Sequence, residues 1–84
     1  MNAREQAVAA EIRRIARDEL HARLSFGDEE ELAGKLDSLA LLSLVVAVED
    51  RFRIALTEED AARTRSLADL ARLVAARAAP EVLP

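Results

Sequence analysis

The chain has 84 residues, 12 basic and 16 acidic side chains for a net charge of −4, no cysteine and only two aromatic residues. That length makes one small domain, which buries only about 60% of its unfolded surface. The missing cysteines exclude a disulfide framework and thiolate chemistry, and the acidic balance and lack of stacking aromatics argue against nucleic-acid binding.

The first element is an amphipathic helix over roughly residues 3–24. Val8, Ile12, Ala16, Leu20 and Leu24 recur every four positions with Ile15 beside them, while Arg13, Arg14, Arg17 and Asp18 take the outer face. Ser25-Phe26-Gly27 ends it, with Gly27 read as a left-handed cap. Residues 28–36 lack a period and read as a loop with a short turn near Glu30, anchored to the core by Phe26, Leu32 and Leu36.

A second helix is expected over 38–53, with Asp37 as its cap and Leu42, Val45, Val48 and Phe52 facing inward. Thr57-Glu58-Glu59-Asp60 and Ser66-Leu67-Ala68-Asp69 are both written as capping boxes. They predict a short third helix over 57–63 and a fourth over 66–78, the latter turning Leu67, Leu70, Leu73 and Val74 inward before Pro80 stops it and the last residues fray. No strict alternation and no hairpin dipeptide competes. The fold class is therefore all-α, a four-helix bundle with a short third helix and no second domain.

No signal peptide or membrane span is visible, since Arg4, Glu5 and Glu11 precede any apolar run and the longest run falls short of the ~20 residues a span needs. A cytoplasmic monomer is the expectation. Residues 28–60 hold ten acidic and three basic side chains, a local charge of −7, against +1 before and +2 after. Such a surface steers basic partners and speeds encounter, although acidic residues at helix starts also serve the helix dipole.

Asp37-Ser38-Leu39 sits where this acidic loop meets the most apolar stretch of the chain. Ser38 as first helical residue would expose its hydroxyl near the positive end of the helix, which suits a phosphate ester. With Leu39, Leu41, Leu42, Leu44, Val45, Val46 and Val48, the helix that follows is apolar all round, so part of it is expected to meet another molecule.

Asp37-Ser38-Leu39, the apolar helix ending Val48-Glu49-Asp50-Arg51-Phe52, the connection Ile54-Ala55-Leu56-Thr57-Glu58-Glu59-Asp60 and the entry Thr64-Arg65-Ser66-Leu67-Ala68-Asp69-Leu70 together resemble the acyl and peptidyl carrier protein family. The resemblance is close over Gly34 to Leu73. It implies an acyl-carrier-like bundle in which Ser38, flanked by Asp37 and Leu39, carries 4'-phosphopantetheine donated by coenzyme A through a phosphopantetheinyl transferase. It further implies a thioester-linked cargo loaded by an acyl- or aminoacyl-activating ligase and passed to biosynthetic enzymes. Leu39, Val46, Glu49 and Asp50 would contact those partners, and catalysis would belong to the partners.

The chain departs from the fatty-acid type: Ala40 and Ser43 replace acidic residues, Arg51 and Arg53 are basic, and Lys35-Leu36 precedes Asp37. Leu36-Asp37-Ser38 is more similar to stand-alone carriers of D-alanine or other aminoacyl groups, and to carriers of secondary metabolism, than to the Gly-Gly-His-Ser form of modular synthetases.

The residues alone leave other readings. The single histidine, His21, would have to reach Ser38 to make a hydrolase, without an evident orienting carboxylate or oxyanion hole. Asp28-Glu29-Glu30-Glu31 is contiguous and lacks the alternation of a calcium loop. The remaining alternative is an unmodified helical interaction module that docks partners through the apolar second helix.

Overall fold

The computed structural model describes residues 1–20, 27 and 29–84. Four helices form the frame: α1 Ala3–Leu20, α2 Ser38–Phe52, α3 Glu58–Arg63 and α4 Leu67–Arg77. Two short 3₁₀ turns, Leu32–Gly34 and Pro80–Val82, complete the described elements. The all-α bundle with a short third helix, expected from periodicity, is the fold observed.

Each helix starts where a side chain takes up its orphan amides. Asn2 and Glu5 cap each other reciprocally ahead of α1, at 2.8 and 2.9 Å. Asp37 accepts from the Ala40 amide ahead of α2, and Thr57/Asp60 and Ser66/Asp69 close full capping boxes ahead of α3 and α4. Ser66 is thus the cap of α4 and not its first turn. Pro80 lies beyond the end of α4 and opens the second 3₁₀ turn.

α1 packs against both α2 and α4. Val8, Ile12, Leu44, Val48, Phe52, Leu67 and Val74 are the largest side chains to lose all solvent contact, and burying each such side chain contributes about 1.5–3 kcal/mol. Leu20, Leu36 and Leu56 pack on the edge of this cluster.

Several expectations are corrected. On α2 the fully buried residues are Leu44, Val48 and Phe52, with Val45 half-buried, and Leu42 is exposed. A helix apolar on every side gives no phase from hydropathy alone, so the positions of its neighbours choose the inner face. Leu73 of α4 is only half-buried, while Ala68 and Ala71 are fully buried.

No described glycine has positive φ. The Gly27 amide donates instead to the Glu30 carboxylate at 2.9 Å. The left-handed residue is Arg53, at φ 55° and ψ 48°, which caps α2 and donates its amide to the Glu49 carbonyl.

Residues 32–34 form a 3₁₀ turn in the stretch read as loop. Leu32 there is buried, and its amide donates to the Arg65 carbonyl at 2.8 Å. The C-terminal end does not splay from the bundle: Val82 and Leu83 pack on the core, and the Val82 carbonyl accepts from Arg51 at 2.6 Å. The extension of the first helix to Leu24, the Phe26 anchor, and His21, Arg23 and Asp28 lie outside the described residues.

Candidate functional site

The site begins with Asp37. Its backbone is extended (φ −72°, ψ 173°) and its Oδ1 accepts from the Ala40 amide at 2.8 Å. Its carbonyl accepts from Leu41 at 2.9 Å as the helix starts. That cap fixes Ser38 as the first residue of α2, solvent-exposed on its outer end.

Leu39, Leu42 and Val46 follow at helical spacing, 75%, 59% and 47% exposed. They form an apolar stripe running down α2 from the serine. The structure places Leu42 on the same exposed face as Leu39 and Val46, and the i, i+3, i+7 spacing of the three is the sequence signal that identifies it. No charged residue occurs between Ser38 and Val48.

Along one side of the stripe a groove of about 720 Å³ separates α2 from α1, lined by Leu42, Val46 and Ala47 and edged by Arg14, Glu19 and Asp50. Asp50 lies exposed at the lower end of the stripe. Glu49 is placed differently from Leu39, Val46 and Asp50. It is half-buried, and its Oε2 accepts from the Leu56 amide at 2.7 Å, bracing the connection from α2 to α3.

Four of the ten acidic residues between 28 and 60 are ion-paired within the fold. Glu29 pairs with Arg72, Glu30 with Lys35, Glu59 with Arg63, and Asp60 with Arg77. The Arg77 guanidinium, followed by the Thr57 amide, holds the Asp60 carboxyl well below the usual carboxylate range. Asp50 and Glu58 have no ion-pair partner among the described residues.

The two arginines that depart from the fatty-acid pattern have structural roles. Arg51 bonds Glu11 at 2.7 Å and the Val82 carbonyl, and its guanidinium lies 4.7 Å from the centre of the Phe52 ring. Arg53 is the left-handed cap. Hydrogen bonding from Arg14 lowers the Glu11 pKa against the opposing effect of burial, and Arg51 adds to the lowering.

Among the described residues no group of acidic or histidine side chains is arranged to hold a metal ion, and no helix is long and apolar enough to cross a membrane. A solvent-exposed hydroxyl on the first turn of a capped helix, above an exposed apolar stripe, fits covalent attachment of a phosphate-linked arm. The exposed serine leaves room for the group, and α2 presents its amide end to the phosphate.

Residues 10–74, more than half of the chain and a span that includes Ser38, match the family described as phosphopantetheine attachment site. No curated protein and no solved structure matches the chain. Domains of this family carry 4'-phosphopantetheine covalently and interact with the enzymes that modify them and draw on them. From the exposed, capped serine and the extent of that match, we conclude that the chain belongs to the phosphopantetheine attachment family and has 4'-phosphopantetheine as its covalent cofactor.

Proposed function

We propose that the chain is an acyl or aminoacyl carrier in a dedicated biosynthetic pathway, with Ser38 as the residue that takes the phosphopantetheine arm. The observation that carries this reading is the exposed hydroxyl of Ser38 on the first turn of α2, set there by Asp37 and lying inside the matched span. When bound, the group supplies a terminal thiol that holds a carboxylic cargo as a thioester.

The chain's own residues do the rest. Asp37 locks the first turn so that the hydroxyl faces solvent, where a phosphopantetheinyl transferase reaches it. The amide end of α2 favours the negative charge of the phosphodiester. Leu39, Leu42 and Val46 offer the loading ligase and the downstream enzymes an apolar strip beside the attachment point, and Asp50 marks its far end. Glu49 supports this face from behind through Leu56. Holding the cargo at the end of α2 raises its effective concentration at each partner's active site, while the chemistry takes place on the partner.

Intact-protein mass spectrometry after incubation with coenzyme A and a broad-specificity phosphopantetheinyl transferase tests the assignment. Wild type and Ser43→Ala are expected to gain one phosphopantetheine, and Ser38→Ala none. An unchanged wild-type mass, with the transferase active on a control carrier, would overturn the assignment.

A further inference from the structure

Ser38 heads the ridge of α2 that walls the groove toward α1. Ser38, Leu42, Val46 and Asp50 follow one another every four residues, so they form one row along the helix. Leu42, Val46 and Asp50 line the groove, and Ser38 stands one turn above the first of them. From Ser38 to Asp50 the row spans about 18 Å at the helical rise of ~1.5 Å per residue. An extended phosphopantetheine covers a comparable distance.

The groove combines an apolar lining with a charged rim. Ile15 and Leu20 of α1 and Leu42, Val46 and Ala47 of α2 supply the apolar surface, and Ser43 adds a hydroxyl. Its volume of about 720 Å³ falls within the roughly 300–1,000 Å³ usual for small-molecule sites.

The charged residues on the rim are not equivalent. Arg14 bonds Glu11 and Asp18, and Arg51 bonds Glu11 and the Val82 carbonyl, so both cations are already engaged. Glu19 and Asp50 are exposed and have no ion-pair partner among the described residues. Unmatched negative charge beside apolar surface complements an occupant with an aliphatic body and a cationic end. A neutral acyl group matches the lining and leaves both carboxylates unmet.

We propose that the groove between α1 and α2 holds this chain's own arm when the cargo is a short aminoacyl group, the arm lying along the Ser38–Asp50 row and the cargo's ammonium attracted to Glu19 and Asp50. The inference rests on the Ser38 assignment and deepens it by naming the cargo as cationic. Leu42, Val46 and Ala47 cover the arm's methylene groups, and Ser43 offers its amides a hydrogen-bonding hydroxyl. Exposed charges hold weakly, so the arm leaves readily. A partner that docks on Leu42 and Val46 takes over the same wall and displaces it.

NMR on the loaded protein tests this. The transferase attaches β-alanyl- or butanoyl-phosphopantetheine from the corresponding coenzyme A thioester; the two cargoes have the same number of heavy atoms and differ in charge. In the β-alanyl form, nuclear Overhauser contacts are expected from the arm and cargo to the side chains of Leu20, Val46 and Ala47. In the butanoyl form, and in β-alanyl-loaded Glu19→Gln/Asp50→Asn, those contacts should weaken about two- to fivefold, the usual strength of exposed ion pairs. Equal contacts for the two cargoes, no contact with these residues, or contacts instead to Val45, Leu56 and Ala61 on the far side of α2 would overturn the inference. Intact mass separates this failure from that of the parent reading: a chain that takes no arm sinks both, whereas a loaded chain with an empty groove sinks this one alone.

Discussion

On the inner side of α2, Leu44, Val48 and Phe52 lose all contact with solvent, whereas on the outer side Leu39, Leu42 and Val46 keep about half or more of theirs. The residue types are nearly the same, and what separates them is where α1 and α4 lie. Burial on this helix is a property of the assembly, and hydropathy alone does not report it. Three large apolar side chains in helical register on the wet side contribute nothing to the core. The partner interface proposed for this face would account for them, which is why the stripe and the serine at its head are read together.

The sharpest test of the contrast is on the inner side. Phe52→Ala should cost about 3–5 kcal/mol, enough to leave so small a domain largely unfolded in urea titrations at room temperature. Leu44→Ala should cost about 2–5 kcal/mol, against less than about 0.5 kcal/mol for Leu42→Ala across the helix. Equal losses from Leu44→Ala and Leu42→Ala would erase the distinction between the faces.

The two ends of α2 give smaller effects. Asp37→Ala removes the cap and should lower stability by about 1 kcal/mol, with slower loading of Ser38 as the first turn loosens. At the other end Arg53→Gly relieves a side chain held at φ 55° and should raise the urea midpoint by the equivalent of about 0.5–1 kcal/mol.

The smallest expected effect is on pH dependence. Glu11 and Asp60 both have folded pKa values below their ordinary 4.5 and 3.8. The unfolded chain therefore binds protons first, and the stabilisation these groups give is complete above those values and is lost as pH falls through them. Glu11→Gln should show a shallower decline of the urea midpoint below about pH 4.5 than wild type does.

What could be read from the chain follows the range over which its causes act. Asp37, Thr57 and Ser66 cap their helices through residues three positions away, so a reader of the sequence sees both partners at once. The position of Ser38 at the head of α2 was legible for the same reason. Hydropathy alone turns Leu42 to the wrong face, because every side of α2 is apolar. Gly27 looked like a left-handed cap, yet Glu30 takes up its amide and Arg53 occupies that conformation elsewhere. The seating of the C-terminal end depends on Arg51 reaching Val82, a contact 31 residues apart that no local pattern announces. The engagement of Glu49 with Leu56 likewise emerges only once the chain has turned back on itself.

The run from Ser38 to Val48 contains no charge over eleven residues, and this separates how a partner arrives from how long it stays. Carboxylates such as Asp50 and Glu58 act over about 10 Å at 0.1 M ionic strength and would set the arrival rate of the basic partner expected here. An interface formed by Leu39, Leu42 and Val46 has no ions to screen, so added salt should slow association with a basic partner while leaving its residence time almost unchanged.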